Sequence, residues 1–342
     1  MLLRDLKGQA LLPKEEYIIN RRANIRGLDV LLLTFTIDAR ANSLWMIYRQ
    51  EGQPFSCERA WQEFATNRER LLAGIAENRL QSGLHVTQME VGGQLIRFDE
   101  ATSHPLGGAS VAASMQLQHF AEKGLLPKQW DQVEAERLVI TQMRQADGDA
   151  APRREQLAEL PLTLHIARSS REVPIESRFS VQFGKQSAEQ KHSYYDPERG
   201  RESCFFVDEV YSYDPYQQVL QRLNQIANGK ARKQARRHFL RAMVHLCPQG
   251  QRLAVIRYET EDDVQLRFFT QQYLEAEPVH SNTGIAFASS KPEEPIGING
   301  YPLRECVLQP MDPDFNGVLQ LELFSRVEEI PAETVVFGPN AI

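Results

Sequence analysis

Hydrophobic and polar positions switch between two periods along the chain, and each switch marks an element. Residues 28–37 and 43–50 are apolar and rich in β-branched and aromatic side chains, with turn formers at 38–42, which predicts two strands. Cys57, Trp61, Phe64, Leu71, Leu72 and Ile75 then recur near helical spacing, predicting an amphipathic helix over 56–80 with Ser56 as its N-cap. The order repeats: strands at 84–91 and 94–98 around Gly92-Gly93, then a helix over 109–123 that stops at Gly124. Segment 131–145 suits helix or strand, because either state can bury the run Leu138, Val139, Ile140. Small and turn-forming residues at 145–152 suggest a boundary between domains 1–150 and 151–342.

The second half is richer in strands, expected at 162–167, 175–183, 203–212, 252–259, 264–273 and 318–324. They surround a helical pair. Asp214 and Pro215 suit the start of its first helix, and Tyr216, Val219, Leu220, Leu223, Ile226 and Ala227 make one apolar stripe. Asn228-Gly229 is expected to end that helix, and a second runs over 230–247, antiparallel because the link is short. The expected fold class is α+β: antiparallel or mixed sheets with flanking helices, two α+β halves, and an α-hairpin at 214–247.

Charge adds what periodicity lacks. Residues 215–258 contain no acid, yet hold Arg222, Lys230, Arg232, Lys233, Arg236, Arg237, Arg241, Arg252 and Arg257, in a chain of net charge −6. At helical spacing, Ala231, Ala235, Phe239, Ala242, Met243 and Leu246 share one side of the second helix, with Lys230, Lys233, Arg237 and Arg241 opposite and Arg236 toward the border. Such a stripe repels itself, so something neutralises it. Internal candidates are Glu259, Glu261, Asp262, Asp263 and the acidic side chains of the C-terminal region; external ones are an acidic protein, a phosphorylated ligand or, ranked behind these, nucleic acid. Tyr194, Tyr195, Tyr211, Tyr213 and Tyr216 lie just upstream and would suit base stacking if exposed.

Composition excludes whole-chain disorder, with 42% apolar and 25% charged residues over 342 positions. The apolar run at 30–37 is far short of the roughly 20 residues of a spanning helix, and Arg4, Asp5 and Lys7 interrupt the start where a signal peptide is apolar. The expectation is a cytoplasmic protein with no membrane partner. Cys57, Cys204, Cys247 and Cys306 form no C-x-x-C pair and read as reduced, packed thiols.

Three motifs match in part. Asp312-Pro-Asp-Phe-Asn-Gly317 opens like a calcium loop, but its twelfth position is Leu323 where a bidentate glutamate is needed. Cys204–Glu209 resembles a Walker B strand, with no phosphate-cradling loop to accompany it. Gly108-Ala-Ser110-Val-Ala112 approaches a nucleophile elbow with His104 nearby, but 102–107 reads as a loop where the elbow needs a strand. His238 and His245 are seven apart on one helix, too far for a shared ion, and His85, His119, His165 and His280 read as structural. No cofactor and no metal site are expected. The resulting reading is a non-enzymatic binding or interaction protein that meets an acidic or phosphate-bearing partner through Lys230, Lys233, Arg236, Arg237 and Arg241. The alternatives are a serine-type hydrolase using Ser110 and His104, or a nucleic-acid-associated protein.

Overall fold

A computed structural model describes residues 13–38, 41–49, 64–81, 84–106, 111–186, 190–278, 289–290 and 296–339. The chain is mostly β, with 51% strand and 21% helix, so the expectation of an α+β fold with two balanced halves is wrong. Some strands, such as those at 15–25 and 191–196, carry many polar residues, which apolar patterning passes over.

Two compact units form, Met1–Ala60 with Ala76–Ser170 and Glu329–Ile342, and Trp61–Ile75 with Arg171–Glu328. In chain order the elements of the first are β1 (Glu15–Ile25), β2 (Leu28–Ile37), β3 (Ser43–Arg49), helix α1 (Asn67–Gln81, whose first half belongs to the second unit), β4 (Val86–Val91), β5 (Gln94–Pro105), α2 (Val111–Glu122), β6 (Leu138–Gln145), α3 (Arg154–Glu159) and β7 (Leu162–Ile166). The second holds β8 (Ser169–Gln182), β9 (Gly184–Lys185), β10 (Lys191–Asp196), β11 (Arg201–Tyr213), α4 (Pro215–Asn224), α5 (Gly229–Leu246), β12 (Arg252–Thr260), β13 (Gln265–Thr270), α6 (Gln271–Glu275), β14 (Ser289–Ser290), β15 (Leu303–Met311) and β16 (Val318–Ile330). Strand β17 (Glu333–Phe337) returns to the first. The stretch at 145–152 is the connection from β6 to α3 inside the first unit.

The first unit is an eight-stranded antiparallel sheet in the order β1-β2-β3-β6-β5-β4-β7-β17, curled until it is nearly a closed barrel. Arg26 ties its two ends, donating to the Ala167 carbonyl (3.0 Å) and the Pro331 carbonyl (2.7 Å). Strand β2 shows why its sequence is continuously apolar. Val30, Leu32 and Phe35 fill the barrel interior, while Leu31 and Leu33 pack outward with Trp45, Ile47 and Ile140 beneath Ala113 and Phe120 of α2. Both faces are buried, so period-2 alternation is lost. The ambiguous segment resolves as β6, which pairs with β3 and β5. Gly92 (φ 56) and Gly93 (φ 77) make the predicted two-residue turn, where both positions need positive φ. Arg21 is 3% exposed, and its guanidinium caps α3 by donating to the carbonyls of Leu157 (2.8 Å), Ala158 (2.9 Å) and Leu160 (2.5 Å).

In the second unit, the sheet β10-β11-β12-β15-β14, with β9 beside β11, and the sheet β13-β16-β8 share one core, built from Phe205, Ile256, Phe268, Leu308, Leu321 and Leu323 among others. Helix α1 begins at Asn67, and the expected N-cap Ser56 lies outside the described residues, with all of 51–63. Thr66 Oγ1 accepts from the Glu69 amide (3.3 Å), and the Glu69 carboxylate accepts in return from the Ala65 amide (2.9 Å). Ile75 then packs with Phe269, Leu274 and Phe324.

His192 of β10 lies in this aromatic core, stacked on Phe205 (ring centroids 5.1 Å apart) and tilted against Phe179 (4.8 Å), and burial lowers its pKa below the usual 6.5. The unfolded chain therefore takes up a proton as pH falls through about 6.5 while the folded chain does not, so stability is full above that pH and declines below it. His192→Phe should flatten this decline between about pH 7 and pH 5 in denaturant titrations. An unchanged decline would show that His192 does not cause it.

Candidate anion-binding helix face

Asp214 and Asn228 set the two helices of the hairpin. The Asp214 carboxylate accepts from the amides of Tyr216 (2.9 Å) and Gln217 (3.1 Å), with Pro215 at the first helical position as predicted. Asn228 differs from expectation. It does not end α4, which stops at Asn224, but caps α5, its side chain accepting from the amides of Lys230 (3.0 Å) and Ala231 (3.2 Å). The helices meet where Tyr216 packs edge-on against Phe239 (5.8 Å) and donates its hydroxyl hydrogen to the Cys247 carbonyl (2.7 Å).

Helix α5 is anchored by its later turns alone. Met243 and Cys247 are buried with Leu253, and Phe239 and Leu246 are half-buried against them. Ala231, placed by the sequence on a buried face, is exposed, as are all described residues from Gly229 to Gln234. The predicted site residues Lys230, Lys233, Arg236, Arg237 and Arg241 are all exposed, and among the described residues none of them makes an ion pair. Lys230, Lys233, Gln234, Arg237, His238 and Arg241 line one shallow open groove along the helix. The side chains of Arg222, Ala242 and His245 lie outside the described part.

Glu259, Asp262 and Asp263, which the sequence offers as internal partners, are engaged elsewhere. Asp262 pairs with Arg199 (2.5 Å) and Arg201 (2.7 Å), and Asp263 with Arg304 (2.9 Å). Glu259 is fully buried, its carboxylate accepting from the Asn299 amide (3.0 Å), the Asn299 side chain (2.9 Å) and the Tyr301 amide (3.1 Å). Among the described residues of the basic window Arg257 is the exception, paired with Glu305 (2.9 Å) and Glu209 (3.3 Å) across the Tyr211 ring. A row of cations without neighbouring acids raises the local potential and attracts anions.

The tyrosines are not a stacking platform. Tyr194 is 5% exposed, and Tyr211 donates to Glu305 (2.9 Å). Tyr213 and Tyr216 pack under the hairpin. Tyr195, 56% exposed, is the member of the cluster open to solvent.

The partial motifs resolve as structure. The calcium-like segment is the tight turn from β15 to β16, in which Asp312 accepts from the Asp314 amide (3.0 Å). The Walker-like Glu209 is the partner of Arg257, on a strand bulged at Val207/Glu209. Ser110, Cys57 and His280 lie outside the described residues. His104 is on β5, which continues to Pro105 where a loop was expected. Among the described residues no group of three or more His, Cys, Asp or Glu is placed to hold a metal ion, and no helix is long and apolar enough to cross a membrane. The chain matches no known family, no curated protein and no solved structure.

Proposed function

We propose that this protein is a non-enzymatic binding protein that meets an acidic protein or a phosphate-bearing ligand through the exposed face of α5. The observation that carries the reading is the row Lys230, Lys233, Arg237 and Arg241 along one groove, exposed and without an ion-pair partner among the described residues, while Glu259, Asp262 and Asp263 are held by other groups. Four cations on successive helical turns match a partner with repeated negative charge better than a single small anion. Such partners are favoured over single-stranded nucleic acid because one tyrosine of the upstream five is exposed for stacking. A cytoplasmic location belongs to the same proposal, supported by the buried free thiols of Cys204, Cys247 and Cys306, which fit a reducing compartment.

Titration with inorganic polyphosphate at low salt tests it. The wild-type chain should bind, and the variant Lys233→Gln/Arg236→Gln/Arg237→Gln/Arg241→Gln should bind at least about tenfold more weakly. Since these side chains are exposed, each change should alter stability by no more than about 0.5 kcal/mol, checked by thermal melting. Equal binding by the variant would reject the reading.

A further inference from the structure

Three asparagines in the chain stand directly before a glycine: Asn228, Asn299 and Asn316. At such a pair the glycine amide can attack the asparagine side chain, because no Cβ shields the nucleophile and glycine accepts the backbone angles that ring closure needs. The fold treats the three differently. Asn299 is locked: its side-chain amide donates to Glu259 (2.9 Å), and the Gly300 amide, which would be the nucleophile, donates to the Gly297 carbonyl (3.1 Å). Asn228 is held as a cap, its side-chain oxygen accepting from the amides of Lys230 and Ala231 and its backbone carbonyl from the Arg232 amide (2.9 Å). Each must give up such bonds before a ring can close.

Asn316 ends the calcium-like segment, where the turn from β15 enters β16. It is exposed, and its side chain makes no hydrogen bond among the described residues. The main chain on either side is nonetheless fixed. The Phe315 amide donates to the Asp312 carbonyl (3.1 Å), and the Gly317 carbonyl accepts from the Phe183 amide (3.0 Å). The informative contact is with Gln182 of β8, whose side-chain amide donates to the Asn316 backbone carbonyl at 2.7 Å. That carbonyl belongs to the peptide unit whose nitrogen is the nucleophile, so the bond polarises the unit and makes the Gly317 N–H proton easier to lose. We propose that Asn316 is a modification site, deamidating spontaneously in the folded protein ahead of the other two asparagines. Solvent hydroxide takes the Gly317 amide proton, the nitrogen bonds to Asn316 Cγ, and the Cγ–Nδ2 bond breaks, ammonia leaving with a proton from water. A water molecule then opens the five-membered imide at either carbonyl, giving aspartate or isoaspartate. Both products add a negative charge to a turn that already carries Asp312 and Asp314, and isoaspartate also inserts a methylene into the main chain just before β16.

The chemistry is independent of the α5 face. Incubation of the full chain in mildly alkaline buffer, followed by peptide mass spectrometry, tests it, with an isoaspartate-specific methyl-transfer assay to identify the rearranged product. The Asn316 peptide should convert at least about tenfold faster than the Asn228 and Asn299 peptides, which must first break hydrogen bonds. In urea the three rates should draw together, because the bonds that separate them are gone. Gln182→Ala, at an exposed position, should slow conversion at Asn316 severalfold and leave the other two unchanged. Conversion of Asn228 or Asn299 as fast as Asn316 in the folded chain, the same spread of rates in urea, an unchanged rate in Gln182→Ala, or aspartate at position 316 without isoaspartate would overturn the proposal.

Discussion

Asp196→Ala is expected to destabilise the second unit by about 3–5 kcal/mol, because it strands the Arg326 guanidinium in the interior. Both side chains are 0% exposed, and Arg326 Nε lies 2.6 Å from Asp196 Oδ2. That contact is an ion pair whose angle falls outside hydrogen-bond geometry; the hydrogen bond is made by Nη2 to Oδ1 at 3.2 Å. Asp196 also accepts from the amides of Glu198 and Arg199, both at 3.1 Å, which fixes the turn between β10 and β11. Removing the carboxylate therefore orphans a buried cation and two amides together. Glu328, 3.5 Å from Arg326, offsets part of the loss. Asp196→Leu combined with Arg326→Met should cost much less than Asp196→Ala alone, since no buried charge remains.

The same pair sets an acid limit. Burial works against the charged Asp196 carboxyl, but Arg326 and the two amides outweigh it and hold its pKa below the usual 3.8. Glu328 is likewise held below its usual 4.5, with burial opposing and Arg171 and Arg326 prevailing. The unfolded carboxyls bind protons first, so their stabilisation is complete above the ordinary carboxylate range and is lost as pH falls through the lowered values. Amide hydrogen exchange across β10 to β16 would report both effects within this unit. Protection in Asp196→Ala equal to wild type would contradict the assignment.

Gly297→Ala is expected to cost about 3 kcal/mol or more, by overpacking and by unseating Glu259. A Cβ at position 297 would lie 2.2 Å from Glu259 Cδ and 2.4 Å from its Oε1. The carboxylate cannot swing aside without releasing the Asn299 and Tyr301 amides that donate to it. The glycine is needed for this close approach. With Glu259→Ala in place, the added cost of Gly297→Ala should nearly vanish, because the two sites share one contact. Denaturant titration of the four proteins gives the coupling. Additive costs would show that the glycine serves some other purpose.

Legibility in the sequence followed the range of the interactions. The hairpin at 214–247 was readable because its caps Asp214 and Asn228 and its 3.6-residue stripe are local, although Asn228 was assigned to the wrong helix end. The cap of α1 was equally local, since Thr66-Asn-Arg-Glu69 spells a capping box, but the apolar spacing from Cys57 onward drew the start forward. Strand β1 escaped notice because Asn20, Arg21 and Arg22 interrupt its apolar pattern, and the structure explains them by a bulge with Asn20 at φ 47 and by Arg21 turned inward onto α3. Barrel closure was unreadable in principle. It brings β1 toward β17 through Arg26, and β17 itself reaches the sheet by pairing with β7, Phe337 opposite Leu162; no local pattern encodes either contact. The basic residues of α5 were found by counting charge; that they stay unpaired depends on Asp262 finding Arg199 and Arg201, which is a tertiary fact.

The salt dependence of polyphosphate binding tests the central claim most directly. If Lys233, Arg236, Arg237 and Arg241 contact the anion, log K against log salt should fall steeply between about 50 mM and 200 mM for the wild-type chain, and the slope should flatten by about 3 when the four are changed to glutamine. Parallel slopes for the two proteins would contradict it, showing that the α5 face does not meet the anion.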